Sequence, residues 1–173
     1  LVATTDLPVG MRIAYEDPRT LGIDRFVNAI AAYERVHAGV IVVDLGTATK
    51  LDCVSPDGVY LGGAIAPGLR ISAELLTGAA ARLSSVELTR PATVVGRTTM
   101  ASLQSGLVLG WAGLVEGLLA RARAELGFPC RAIATGGLAR VVAPDVRGLD
   151  EVVPQLTLDG LRLVWQRTRG TPS

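Results

Sequence analysis

Two carboxylates stand out by the residues around them. Asp44 closes a run of four β-branched residues, Val40 to Val43, and is followed by Leu45-Gly46-Thr47-Ala48-Thr49. A buried strand is expected over that run, with Gly46 allowing a tight turn and Thr47 and Thr49 setting hydroxyls beside exposed backbone N–H groups. Lys50 to Val54 leads away as a return strand. Such a hairpin can cradle phosphate, and its carboxylate can hold a cation or that cation's hydration water. The second carboxylate, Asp24, stands beside Arg25 at the start of a helix read from about Asp24 to His37 and ended by Gly39. Free N–H groups and the helix dipole favour an anion there. The plain alternative is that Asp24 caps the helix and Arg25 is solvated. A third spot is Thr135-Gly136-Gly137, where a strand from Cys130 to Ala134 runs into a helix starting near Leu138. Bare backbone at such a turn lets a nucleotide base or phosphate lie against it.

The remaining segments must position these three spots. An edge strand is expected at Met11 to Tyr15. Ser55-Pro-Asp-Gly58 is a turn, and Val59 to Ala66 then completes a three-stranded meander. Gly62-Gly63 inside that strand implies close approach of backbone or ligand, or a bulge. Pro67-Gly68 opens a helix from Leu69 to about Leu83. A polar connection at 84–98 leads to a long helix, Thr99 to about Leu126, with Leu103, Leu107, Leu114, Val115 and Leu118 facing inward. Its glycines, Gly106, Gly110, Gly113 and Gly117, line one side, a device for close packing that suits a subunit contact. Leu149 to Pro154 is a last β-like piece, and Leu156 to Arg169 an amphipathic helix. A meander followed by helices alternating with strands is the order of a ribonuclease-H-like α/β domain.

Composition narrows the function. The 173 residues carry 17 basic and 16 acidic side chains, with only 4% aromatics, so no basic stripe or stacking platform for nucleic acid is present. The apolar stretches are interrupted by Gly, Asp or Arg, so no membrane-spanning helix and a cytoplasmic location are expected. Cys53 and Cys130 stand far apart, without partners at metal spacing, and read as structural thiols. The one histidine, His37, reads as a C-terminal cap. Lys50, just past the phosphate turn, can reach toward Asp44 or a phosphate oxygen. Otherwise it is a surface lysine paired loosely with Asp52.

In order, Tyr15…Pro18…Gly22-Ile-Asp-Arg25, Asp44-Leu-Gly-Thr-Ala-Thr49, Gly62-Gly-Ala-Ile-Ala-Pro-Gly-Leu69, Gly96-Arg-Thr-Thr99 with Ser105-Gly106, Thr135-Gly-Gly137 and Leu158-Asp-Gly-Leu161 resemble the type III pantothenate kinases, of the acetate/sugar kinase–heat-shock protein–actin superfamily. The resemblance implies ATP-dependent phosphorylation of pantothenate, the first step towards coenzyme A, and the glycine-lined side of the long helix leads to the expectation of a homodimer. It implies that Asp24 is the base, that Arg25 and Thr99 hold pantothenate, and that Tyr15 and Gly22 line its pocket. Asp44, Gly46, Thr47 and Thr49 would face the ATP phosphates and a monovalent cation (K+ or NH4+), with Asp44 the metal-holding residue and magnesium a further cofactor, and Gly136 and Gly137 would lie near the adenosine. Residues 1–37 would be the end of a first domain with its linking helix, and 38–173 the second domain. Two departures stand out: the family's N-terminal Asp-x-Gly-Asn-Thr hairpin is absent from the sequence, and Lys50 replaces a threonine. The first leads to the expectation that this chain alone turns over poorly. It also keeps a second reading open, a catalytically silent relative acting as a regulatory or accessory protein.

Overall fold

Six strands build one mixed sheet in the computed structural model, which describes residues 4, 5, 7, 9–79 and 86–169. They are β1 (Arg12–Ile13), β2 (Val40–Leu45), β3 (Ala48–Val54), β4 (Val59–Pro67), β5 (Arg131–Thr135) and β6 (Glu151–Val152), in the spatial order β1-β4-β3-β2-β5-β6. β2, β3 and β4 form the antiparallel meander. β5 joins β2 in parallel and β6 joins β5 in parallel. A meander extended by two parallel strands is the ribonuclease-H-like arrangement, and β1 adds a short parallel edge beside β4.

The helices are α1 (Ile23–Val36), α2 (Leu69–Ala79), α3 (Thr99–Leu126), the single turn α4 (Ala139–Val142) and α5 (Leu156–Arg169). Alternation along β2 divides the core in two. Val40 and Val42 point to one face, where α1 and α5 cover them with Phe26, Val27, Ile30, Leu156 and Val164. Ile41, Val43 and Leu45 point to the other, under Leu107, Val115 and Leu119 of α3 together with α2 and α4. A strand buried on both faces must be apolar throughout, hence the unbroken Val-Ile-Val-Val. α1 and α5 touch closely: a Cβ on Gly160 would sit 2.1 Å from the Val27 carbonyl oxygen. The Thr157 hydroxyl donates to Asn28 Oδ1 across the same contact at 2.7 Å.

Some local expectations hold and others are corrected. The residue that ends α1 in the left-handed region is His37, at φ 44°, with its N–H bonded to the Tyr33 carbonyl, as a C-terminal cap requires. Gly39 instead lets Pro129 come close, since a Cβ would lie 2.6 Å from that carbonyl oxygen. The Gly62-Gly63 pair serves both uses foreseen for it. The register shifts there by a bulge opposite Cys53 and Val54, and a Cβ on Gly63 would lie 1.8 Å from the Leu51 carbonyl oxygen. On α3, Leu107 and Val115 are buried as expected, but the deepest positions also include Val108, Ala112 and Leu119, while Leu103 is half-buried. α3 is long and apolar enough to cross a membrane, contrary to the reading of the apolar stretches, but one side of it seals the sheet. The expected end of α2 at Leu83 lies outside the described residues.

Candidate active site

The β2–β3 turn is held from three sides. Behind it, Gly68 packs so closely that a Cβ would fall 2.0 Å from the Thr47 carbonyl oxygen. Beside it, the Leu138 N–H donates to the Leu45 carbonyl at 3.2 Å, which fixes the Thr135–Gly137 turn to the end of β2. From α3, the Trp111 indole N–H donates to the Thr49 hydroxyl at 2.8 Å. Thr47 is exposed, and with Leu45, Gly46, Arg70, Ile71, Gly137 and Leu138 it lines a cleft of about 210 Å³. Thr49 is 1% exposed and occupied by Trp111, so it supports the turn from behind and does not open onto the cleft. Arg70, missed in the sequence, supplies the cleft with a positive charge.

Asp44 lies in register with Lys50 on one side and Thr135 on the other. The Lys50 Nζ donates to Asp24 Oδ2 at 2.6 Å and lies 2.8 Å from Asp44 Oδ2. One ammonium therefore joins the two carboxylates that the sequence singled out. Each carboxylate turns its other oxygen toward a glycine. A Cβ on Gly22 would meet Asp24 Oδ1 at 2.8 Å, and one on Gly136 (φ 95°) would meet Asp44 Oδ1 at 2.7 Å. Gly22 is also the N-cap of α1, so Asp24 is not the cap but sits within the first turn. Partial burial pushes the Asp24 carboxyl up, but the Lys50 hydrogen bond and charge and the first-turn N–H groups outweigh it, leaving it below its ordinary value. Burial alone would lower Lys50; its two carboxylate partners raise it above its ordinary value.

Asp52, read as a loose surface partner of Lys50, is instead 0% exposed. It is paired with Arg25, whose Nε donates to Asp52 Oδ1 at 2.8 Å. The Tyr60 hydroxyl donates to the same oxygen at 2.7 Å, and Arg25 Nη1 reaches the Tyr15 hydroxyl at 3.4 Å. Burial pushes Asp52 up more than Arg25 and Tyr60 pull it down. Arg25 Nη2 and Asp52 Oδ2 have no partner among the described residues. Arg25 is thus buried and neutralised, not solvated. Tyr15 packs edge-on to Tyr60, and its ring also lies 3.5 Å from where a Gly62 Cβ would be. On the opposite face of β3, burial pushes the Cys53 thiol up to about 12, which keeps it inert.

The fold thus gathers Tyr15, Gly22, Asp24 and Arg25 next to Asp44 and Lys50, with Gly46, Thr47, Gly136 and Gly137 adjoining. Thr99 is exposed in the first turn of α3, after the Thr98 cap, and no hydrogen bond among the described residues joins it to Asp24, Arg25 or Tyr15. The cleft and its glycines fit a polyphosphate. A metal held by protein alone does not fit, because no group of three or more acidic, His or Cys side chains converges among the described residues, and Lys50 occupies Asp44 Oδ2.

Residues 1–121 match the sequence profile of the type III pantothenate kinases. The chain belongs to that family. It is 53% identical over 162 residues to a type III pantothenate kinase of Myxococcus xanthus, covering 94% of this chain and 63% of the relative. It is 55% identical over 160 residues to one of Anaeromyxobacter sp. (92% and 63%), and 48% identical over 169 residues to one of Roseiflexus sp. (98% and 66%). The chain thus spans a little under two thirds of the length of these type III pantothenate kinases. Among solved structures, a Baf family transcriptional activator from Campylobacter jejuni superposes with a TM-score of 0.61 at 21% identity, over 93% of this chain and 70% of the other, which is a likeness of fold.

Proposed function

We propose that this chain serves ATP-dependent phosphorylation of pantothenate to 4′-phosphopantothenate, the first step of coenzyme A biosynthesis, in the cytoplasm. Family membership supports the reaction. The observation that carries the assignment of roles is the Lys50 bridge, which sets Asp24 beside the phosphate turn at Asp44. In this reading Asp24 receives the proton of the pantothenate hydroxyl as its oxygen bonds to the γ-phosphorus and the bond to the β-phosphate oxygen breaks. ADP leaves with the electron pair. Phosphoryl transfer asks chiefly for alignment and charge neutralisation, so a carboxylate of lowered proton affinity suffices to orient the hydroxyl. Gly46, Thr47 and Arg70 face the polyphosphate, and Gly136 and Gly137 the adenosine. Tyr15, Gly22 and Thr99 contact pantothenate, with Arg25 shaping the pocket wall through Tyr15. Magnesium would arrive on the polyphosphate and neutralise its charge. In this reading residues 1–37 are the end of a first domain whose β1 and α1 pack onto the second, residues 38–173.

The test is detection of 4′-phosphopantothenate by mass after the gene's whole product meets ATP, magnesium and pantothenate, with glucose as a control acceptor. Pantothenate is expected to be phosphorylated. Nucleotide binding without any transfer would instead favour the silent accessory relative, and preference for glucose a sugar kinase.

The proposal includes pairing of two copies through α3. Gly106, Gly110 and Gly113 meet nothing within 4 Å where a Cβ would be, so this side of α3 is bare among the described residues. Gly110→Leu is expected to convert dimer to monomer in light scattering while leaving the fold intact. An unchanged dimer would place the interface elsewhere.

A further inference from the structure

Lys50 lies at the convergence of charge in this molecule, and nothing in the reaction as proposed requires a lysine there. Its side chain is 13% exposed, deep for an ammonium, and both near neighbours are anionic. The groups facing it are Asp24 from α1, Asp44 from β2 and, one pleat along β3, Asp52. A second cation nearby, Arg25, is paired through its Nε with Asp52. Two carboxylates within the span of a single ammonium would repel strongly if nothing lay between them. Glycine at 22 and 136 leaves the outer oxygens of both without side-chain competition, so the inner oxygens define one cation position. Lysine brings three donors, of which the carboxylates take two. The third is left for an incoming phosphoryl oxygen.

We infer that Lys50 is the resident cation of this site, tying the proposed base Asp24 to the phosphate turn at Asp44 and filling the place a free monovalent ion would otherwise take. Lys50 is a positioning residue here. The inference rests on the proposed roles of Asp24 and Asp44, and it makes the chain indifferent to the identity of the monovalent salt.

The test reads ion preference and protonation, not turnover. Thermal midpoints of this chain and of Lys50→Thr are measured in potassium, ammonium and tetramethylammonium chlorides at equal ionic strength. The wild type is expected to melt at one temperature in all three. Lys50→Thr vacates the position, and its midpoint is expected to rise by roughly 3 °C in potassium or ammonium over the bulky ion. A carbon-detected titration of the Asp24 carboxyl adds a readout that mere packing would not move: Lys50→Met is expected to raise its midpoint relative to wild type. A potassium preference in the wild type overturns the inference, as does an ion-indifferent Lys50→Thr or an Asp24 titration that stays put. Failure of pantothenate phosphorylation with these ion results intact would instead overturn the functional reading alone.

Discussion

Replacing Arg25 with methionine is expected to destabilise the chain by about 3–5 kcal/mol, the usual consequence of leaving a buried charge without its partner. Total stabilities are about 5–15 kcal/mol, so this is a large share. Asp52 would keep only the Tyr60 hydroxyl and would hold its proton more tightly than it already does. A carboxyl whose folded proton affinity is raised contributes stability below its unfolded value, near 3.8, and that contribution is lost as pH rises through the folded value. The deficit of Arg25→Met is therefore expected to be smaller near pH 4 than at pH 7, as read by urea melts at both. Removing both partners, Arg25→Met with Asp52→Leu, is expected to recover most of the loss, because neither charge of the pair is then left buried without the other. An Arg25→Met variant of wild-type stability with weakened pantothenate binding would instead make Arg25 a ligand for the substrate.

Asp24→Asn is expected to lower kcat by about 10²–10⁴-fold, the span typical of a lost general base, with ATP affinity nearly unchanged. Stability should move little. The cap of α1 is Gly22, and the Lys50–Asp24 bridge involves a side chain that is 52% exposed, so solvent limits its worth to about 1 kcal/mol. Single-turnover phosphoryl transfer and thermal melts on the same variant separate the two effects. Near-normal transfer with a markedly lower melting temperature would make Asp24 a structural anchor for Lys50 and remove it from the chemistry.

Much of this architecture is readable from local pattern. Val40–Val43 and the turn signals at Ser55–Gly58 and Pro67-Gly68 mark the meander because β-branching and turn chemistry act over a few residues. Asp24, Asp44 and the Thr-Gly-Gly turn are likewise found by their neighbours. What escaped is whatever tertiary packing decides. Asp52 shares a pleat with Lys50, so alternation groups the two, but only the approach of α1 shows that Arg25 takes Asp52 and Asp24 takes Lys50. Thr49 has the residue type of a phosphate contact, yet Trp111, 62 residues on, claims its hydroxyl. Arg70 carried no motif, and only the docking of Gly68 against the turn brings it to the cleft. On α3, sequence periodicity found a face but not its centre, because glycines and small apolar residues blur the boundary between covered and bare sides.

The three-sided support of the β2–β3 turn also has a meaning for binding entropy. A loop that must order around its ligand loses conformational freedom at the moment of association, which weakens affinity. Here Gly68 behind, Leu138 beside and Trp111 across already hold the backbone of Leu45–Thr49 in one arrangement. That freedom is given up when the chain folds. On the proposed reading, a ligand arriving at Gly46 and Thr47 meets a turn whose shape is already set, closed by the Gly46 N–H on the Ala48 carbonyl, and the binding energy it makes there stays available for aligning the groups that react.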